Sequence, residues 1–178
     1  MPSVWFACEL FFSILFNIFN FYHYWYTKLV MIKKISIKTK VGWISVFEDK
    51  GKIFQIKFGK TKTQFKSKLL IDFKEKLNKF FDKKISLLKT PHIMYGNKKQ
   101  IKIWNELKKI KFGKTKSYGK IAKKFNFSPR YVGKVCGQNK LLLLVPCHRV
   151  IKSDGSLGGF SSTGGINLKK KLLYLEKN

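Results

Sequence analysis

The sequence predicts an α+β unit, a strand hairpin with a helix, followed by a mainly helical unit that carries a helix-turn-helix. Three observations lead there. Between Ile32 and Gly59 β-branched and aromatic residues alternate in places with lysines, and Glu48-Asp49-Lys50-Gly51 interrupts them. From Lys66 to Lys84 the apolar period becomes helical. Beyond Lys98 come short segments of helical spacing, punctuated by serine, proline and glycine.

The chain opens on an apolar and aromatic run, residues 4–26. It is long enough to span a bilayer, which takes about 20 apolar residues. It holds Glu9, Asn17, Asn20 and His23, lacks a basic leader and a small-residue cleavage site, and so fits a signal peptide poorly. If it did insert, the lysines from Lys28 onward would keep their side cytoplasmic. The chain from Met31 onward reads as a soluble protein complete in itself. Residues 1–30 are therefore expected to be an extension from an upstream start, and membrane association through residues 4–26 is not expected.

The first structured unit is expected over residues 31–92. The runs WISVF and KIFQIKF flank Glu48-Asp49-Lys50-Gly51 and predict a β-hairpin. Leu69, Leu70, Phe73, Leu77, Phe80 and Phe81 then mark one face of an amphipathic helix whose other face is lysine-rich. The stretch KTPHIMYGNKKQ, with Pro91 and Gly96, reads as a linker, and His92 as a surface or linker residue.

The second unit is expected over residues 97–178. Ile103, Trp104, Leu107 and Ile110 form one helical face. SYGKIAKKF is a short helix that Ser117 can cap, and RYVGKVCGQ is another, with Ser128 as N-cap and Pro129 at the first helical position. Two short helices joined by a tight turn, with small Ala122 and Gly133 where they could cross, have the pattern of a helix-turn-helix.

Composition bounds the partners. The 178 residues include 38 basic and 9 acidic side chains, a net charge of +29, with 44% hydrophobic residues to build a core. That imbalance suggests a polyanion, nucleic acid before membrane surface. A lysine-, isoleucine-, phenylalanine- and asparagine-rich composition would also leave much lysine as plain solvated surface, so the motifs must decide. The three cysteines, Cys8, Cys136 and Cys147, are odd in number, widely spaced and without a CxxC pair. This argues against a disulfide framework or a metal site and for a reducing compartment with one functional thiol.

That thiol is Cys147, in VPCHRV after four leucines. Cysteine attacks only as thiolate, and a free thiol has a pKa of about 8.5. His148 and Arg149 stand beside it, and Pro146 constrains the backbone before it. The only two arginines, Arg130 and Arg149, lie within twenty residues of it. On the tripeptide alone, a buried structural cysteine competes evenly with a nucleophile. Cys136, on the apolar side of its helix, reads as core.

The wider constellation breaks that tie. Pro-Cys-His-Arg-Val, preceded by SYGKIA, RYVG and Asn139 and followed by SDGSLGGFSS and a helix ending LLYLE, resembles the O6-alkylguanine-DNA alkyltransferases, or methylated-DNA–protein-cysteine methyltransferases. The resemblance is close over residues 101–176. Residues 32–90 match only in character the ribonuclease-H-like N-terminal domain of that family. It implies an irreversible, single-use, cofactor-free transfer of an alkyl group from O6 of a flipped guanine in double-stranded DNA to Cys147, by a cytoplasmic, nucleoid-associated monomer. O4-methylthymine is a further candidate substrate. It also implies roles: His148 as water-linked base, Glu176 holding the imidazole, Asn139 bracing the cysteine turn, Tyr118 donating to the leaving guanine. Arg130 would enter the stack, and Val150, Gly158 and Ser161 would line the base pocket. Two departures stand out: Lys140 follows Asn139 where the family usually has proline, and the loop GGFSSTGG is longer.

Three rival functions make different demands on the chain. A damage-sensing relative without transfer would replace the motif cysteine, which is present here. A cysteine hydrolase would carry its own signature around Cys147. A membrane-anchored basic protein would depend on residues 1–30, whose removal is expected to leave function intact.

Overall fold

The computed structural model describes residues 32–62 and 65–177. The expected N-terminal extension lies outside the described residues. Three antiparallel strands, β1 (Lys33–Thr39), β2 (Gly42–Asp49) and β3 (Lys52–Phe58), form a sheet in sequence order. The expected hairpin is β2–β3. Its turn residues Lys50 (φ 47°) and Gly51 (φ 74°) both sit in the left-handed region, as a two-residue turn matching the strand twist requires. The register puts Ile37, Ile44 and Phe58 in one row of the inner face and Ile35, Val46 and Ile56 in the next. All six are buried.

Helix α1 (Lys68–Phe81) packs on that sheet through Leu70, Phe73, Leu77, Phe80 and Phe81. Burial of each such side chain is worth about 2 kcal/mol. Ser67 caps α1 by accepting from the Leu70 N–H, and its hydroxyl donates to Glu48, tying the helix start to β2.

The stretch expected as a linker pairs with the edge of β3. Ile53 N–H donates to Pro91 O at 3.0 Å and Ile93 N–H to Ile53 O at 2.9 Å. Farther along the same edge Ile56 N–H donates to Lys140 O at 2.8 Å. Lys33–Asn178 group into one compact unit. His92 is half-buried, with Nδ1 at 2.8 Å from Thr90 O and Nε2 accepting from Lys108 Nζ at 3.1 Å.

Helix α2 (Lys98–Leu107) begins with a capping box of Asn97 and Gln100. Two residues, β4 (Lys116–Ser117), pair in parallel with β5 (Val150–Ile151). Ser117 caps α3 (Tyr118–Phe125), which ends on Asn126 at φ 54°. Ser128 caps α4 (Pro129–Gly137), with Pro129 in its first turn. Trp104 Nε1 donates to Val135 O at 3.0 Å, fastening α4 to α2. Helix α5 (Gly165–Lys177) closes the fold. The short parallel pair matters most for chemistry, because it sets Tyr118 beside the chain leaving Cys147. Among the described residues no helix is long and apolar enough to cross a membrane.

Candidate active site

The apolar run before the cysteine is buried from Leu141 to Val145, but it is a turn and not a strand. Leu143 takes φ 71°, and Val145 N–H returns to Leu141 O at 2.8 Å. Pro146 then leads into a 3-10 turn, Cys147–Arg149, whose side chains are all buried. Pro-Cys-His-Arg occupies a tight turn deep in the fold, so its polar groups must find partners inside the protein.

Asn139 supplies several of these bonds. Its Oδ1 accepts from Leu141 N–H at 2.9 Å. Its Nδ2 donates to Val145 O at 2.8 Å and to Cys147 Sγ at 3.2 Å. Burial pushes the Cys147 thiol up, while the Asn139 bond, the Lys169 charge and the amides of the turn pull the other way. The resting sulfur is a neutral thiol in a setting that already offers donors to the thiolate.

His148 and Arg149 share one carboxylate. His148 Nε2 donates to Glu176 Oε1 at 2.9 Å. Arg149 sends Nε to Oε2 at 2.8 Å and Nη2 to Oε1 at 2.8 Å, a bidentate fork. Arg149 Nη1 donates to Ile110 O at 2.7 Å, and its guanidinium lies 5.7 Å from the centre of the Phe112 ring. Glu176 Oε2 also accepts from Gly113 N–H at 3.1 Å. Burial alone would raise the Glu176 carboxyl, but the bonds from His148 and Arg149 outweigh it and hold the pKa at about 2. Burial lowers His148 despite the opposing pull of Glu176, so the imidazole rests neutral.

A cavity of about 650 Å³ opens above the sulfur, a volume suited to a small organic ligand. Its walls include Tyr118, Arg130, Cys136, Cys147, Gly158 and Ser161. Arg130 stands exposed at the start of α4. Ser161 Oγ donates to Gly137 O at 3.0 Å, holding the glycine-rich loop against α4. Gly158 has φ 67°, and a Cβ there would lie 3.0 Å from the Tyr118 ring, so only glycine lets the loop pass so close. Burial, reinforced by the two cysteines, pushes the Tyr118 phenol up to about 12. Val150 lies buried behind the wall, and its carbonyl accepts from Lys169 Nζ at 2.6 Å.

A profile described as 6-O-methylguanine DNA methyltransferase, DNA binding domain, matches residues 98–178. A methylated-DNA–protein-cysteine methyltransferase of Metallosphaera sedula is 33% identical over 153 residues, covering 82% of this chain and 94% of that protein. The chain belongs to the methylated-DNA–protein-cysteine methyltransferase family. The Methanocaldococcus vulcanius member is 54% identical over 76 residues, 43% of this chain. That match spans about half of the relative's length, 45%, and the match to the Sulfolobus acidocaldarius member spans 61%. Among solved structures, Mycobacterium tuberculosis OGT in complex with DNA aligns with a TM-score of 0.73 and 28% identity, covering 82% of this chain and 92% of that one.

Set against the family motif, the structure bonds Asn139 to Cys147 and, separately, His148 to Glu176, and the two pairs meet only through the Cys147–Arg149 turn. Tyr118, Arg130, Gly158 and Ser161 lie around the cavity. Three participants were not legible in the sequence. Arg149 had no visible partner, because Glu176 is 27 residues away. Lys169 reads as one of many surface lysines, yet it is fully buried. Its Nζ donates to Tyr118 Oη at 3.3 Å and to the carbonyls of Val150, Leu157 and Gly159. The one available hint was its place in α5 one turn ahead of Leu172 and two ahead of Glu176, on the face those residues bury. Cys136 is buried as expected of core, but it also walls the cavity that Cys147 shares.

Proposed function

We propose that this protein repairs DNA by moving the alkyl group of O6-alkylguanine irreversibly onto Sγ of Cys147. O4-methylthymine is a second candidate substrate. The observation that carries the reading is a cavity large enough for a base with Cys147 in its wall, Asn139 bonded to the sulfur, and His148 of the same turn held by Glu176 from α5.

The bond from Nε2 to Glu176 leaves Nδ1 of neutral His148 as the proton acceptor. In the proposed reaction a water carries the thiol proton to that nitrogen. The thiolate, steadied by Asn139 and Lys169, attacks the alkyl carbon. The S–C bond forms as the C–O6 bond breaks, and the guanine leaves with a proton from Tyr118. Lys169 beside Tyr118 Oη favours the phenolate so formed. The thioether has no route back, so each molecule acts once. Acceptor and proton donors are all side chains, and the reading calls for no cofactor.

A thiolate in the wall of a cavity cannot reach O6 inside a duplex, so the base must flip out. We read α3–α4 as a helix-turn-helix with α4 in the groove and Arg130 filling the vacated stack. A planar guanidinium stacks where lysine would not. We read residues 31–92 as a ribonuclease-H-like unit and residues 97–178 as the transfer unit. A monomer in the cytoplasm at the nucleoid fits this work.

The test is intact-mass analysis after incubation with a duplex containing O6-methylguanine. One methyl per protein on the Cys147 peptide is expected, and none with Cys147→Ser. No adduct on folded protein, or transfer that persists in Cys147→Ser, sinks the reading. Arg130→Ala is expected to slow repair of duplex more than transfer from the free base; equal slowing would remove its role in the stack.

A further inference from the structure

The outer face of the three-stranded sheet takes no part in the cavity, yet it carries an unusual surface. The register sets Lys38 beside Trp43, Ser36 beside Ser45 and Lys57, and Lys34 beside Phe47 and Gln55. Rings and lysines thus alternate across one face. Trp43 is 37% exposed, an uncommon setting for the largest apolar side chain. Phe47 is half-buried, with Phe54 at a ring distance of 6.3 Å.

Each ring carries its own cation. Lys57 Nζ lies 5.0 Å from the centre of Phe47, and Lys60 Nζ lies 5.0 Å from the centre of Trp43. The segment after β3 crosses the face and delivers Lys60 there. Ser45 Oγ donates to Gly59 O at 2.7 Å, and Thr61 N–H donates to Ser36 Oγ at 2.9 Å. Carboxylates stay clear of this face. Glu48 is held under α1 by Ser67, and Asp49 lies at the hairpin turn.

We propose that this face is a second nucleic-acid site, which holds single-stranded DNA by stacking bases on Trp43 and Phe47 and pairing its phosphates with Lys34, Lys38, Lys57 and Lys60. Interleaved rings and cations are what a single strand requires, because every base has a π-face and every nucleotide a charge. A duplex keeps its bases stacked inside and cannot use the rings. A base stack is stronger than an exposed cation–π contact, so an arriving base displaces each lysine from its ring toward a phosphate. Trp43 and Phe47 are about 13 Å apart along β2, so they take non-adjacent bases. Ser36 and Ser45 are buried beneath the Gly59–Thr61 segment with both hydroxyls already bonded, so only Gln55 and the lysines remain to meet a sugar, and DNA is the strand that the proposed repair function supplies. The proposed contacts use no residue of the Cys147 cavity.

The test uses the full chain and a labelled oligothymidylate, followed by fluorescence anisotropy with saturating unlabelled duplex to occupy α3–α4. The oligonucleotide is expected to stay bound, with a salt slope near −3 for about four phosphate contacts. Trp43→Ala is expected to weaken it about tenfold, and Lys57→Gln with Lys60→Gln to reduce the slope by about 1.4. Both variants should transfer methyl groups to Cys147 at the wild-type rate. If Trp43→Ala loses transfer and has therefore misfolded, the lysine variant decides. Full displacement by duplex, wild-type binding by the variants, or tighter binding of oligouridylate overturns the proposal.

Discussion

Replacing Arg149 with glutamine tests the buried network beneath the cysteine. Arg149 is 3% exposed and spends three nitrogens on Glu176 and Ile110 O. Removing one partner of a buried ion pair costs about 3–5 kcal/mol. The carboxyl itself gives a total that Arg149 shares with His148. Holding the Glu176 carboxyl at about 2 instead of 4.5 is a stabilisation of about 3 kcal/mol at neutral pH. Burial opposes that shift, and the bonds from His148 and Arg149 create it. Arg149→Gln is therefore expected to lose about 3 kcal/mol at pH 7 and to melt roughly 10 °C lower. The sign with pH comes from the depressed carboxyl. Its contribution is present above about pH 4.5 and is lost as pH falls toward 2. The gap between wild type and variant should thus be widest at neutral pH and close near pH 2. Urea unfolding monitored by circular dichroism at pH 7, 4 and 2.5 measures it. A loss below about 1 kcal/mol at pH 7, or a gap that stays constant with pH, would refute the reasoning.

Two further variants probe the sulfur's surroundings. Asn139→Ala removes the bond to Sγ, leaves Leu141 N–H without its buried partner and leaves Val145 O with Cys147 N–H alone. Single-turnover transfer should slow at least about tenfold, with the thiol limb of the pH–rate profile moved to higher pH; an unmoved limb would mean that Asn139 only holds the turn. Lys169→Met removes the cation that favours the Cys147 thiolate and the donor to the carbonyls of Val150, Leu157 and Gly159. The same limb should move up and the rate fall, and a normal profile in a folded variant would show that the lysine acts only as a loop anchor.

How much of the fold and site was legible in the sequence depends on how local each feature is. The β2–β3 turn, the serine caps of α3 and α4 and the buried face of α1 come from residues within a few positions of one another. Short-range sterics and hydrogen bonding decide them, and the linear pattern carries that information. The transfer motif is local as well, so Cys147, His148 and Asn139 stood out together. Strand β1 and the pairing of Pro91–Ile93 with β3 were less visible, because an edge strand's partner is chosen by the whole sheet.

The sequence by itself determined the helix starts, the hairpin, and a cysteine flanked by histidine and arginine behind a proline. Only the tertiary structure decided that Arg149 and His148 divide one carboxylate. It also decided that Lys169, among 36 lysines, is buried against Tyr118 and the active-site loop. The reason is physical. Burying a charge is tolerable only where acceptors from distant segments converge on it, and that convergence exists only once residues 110, 149, 157 and 176 have been folded into one place.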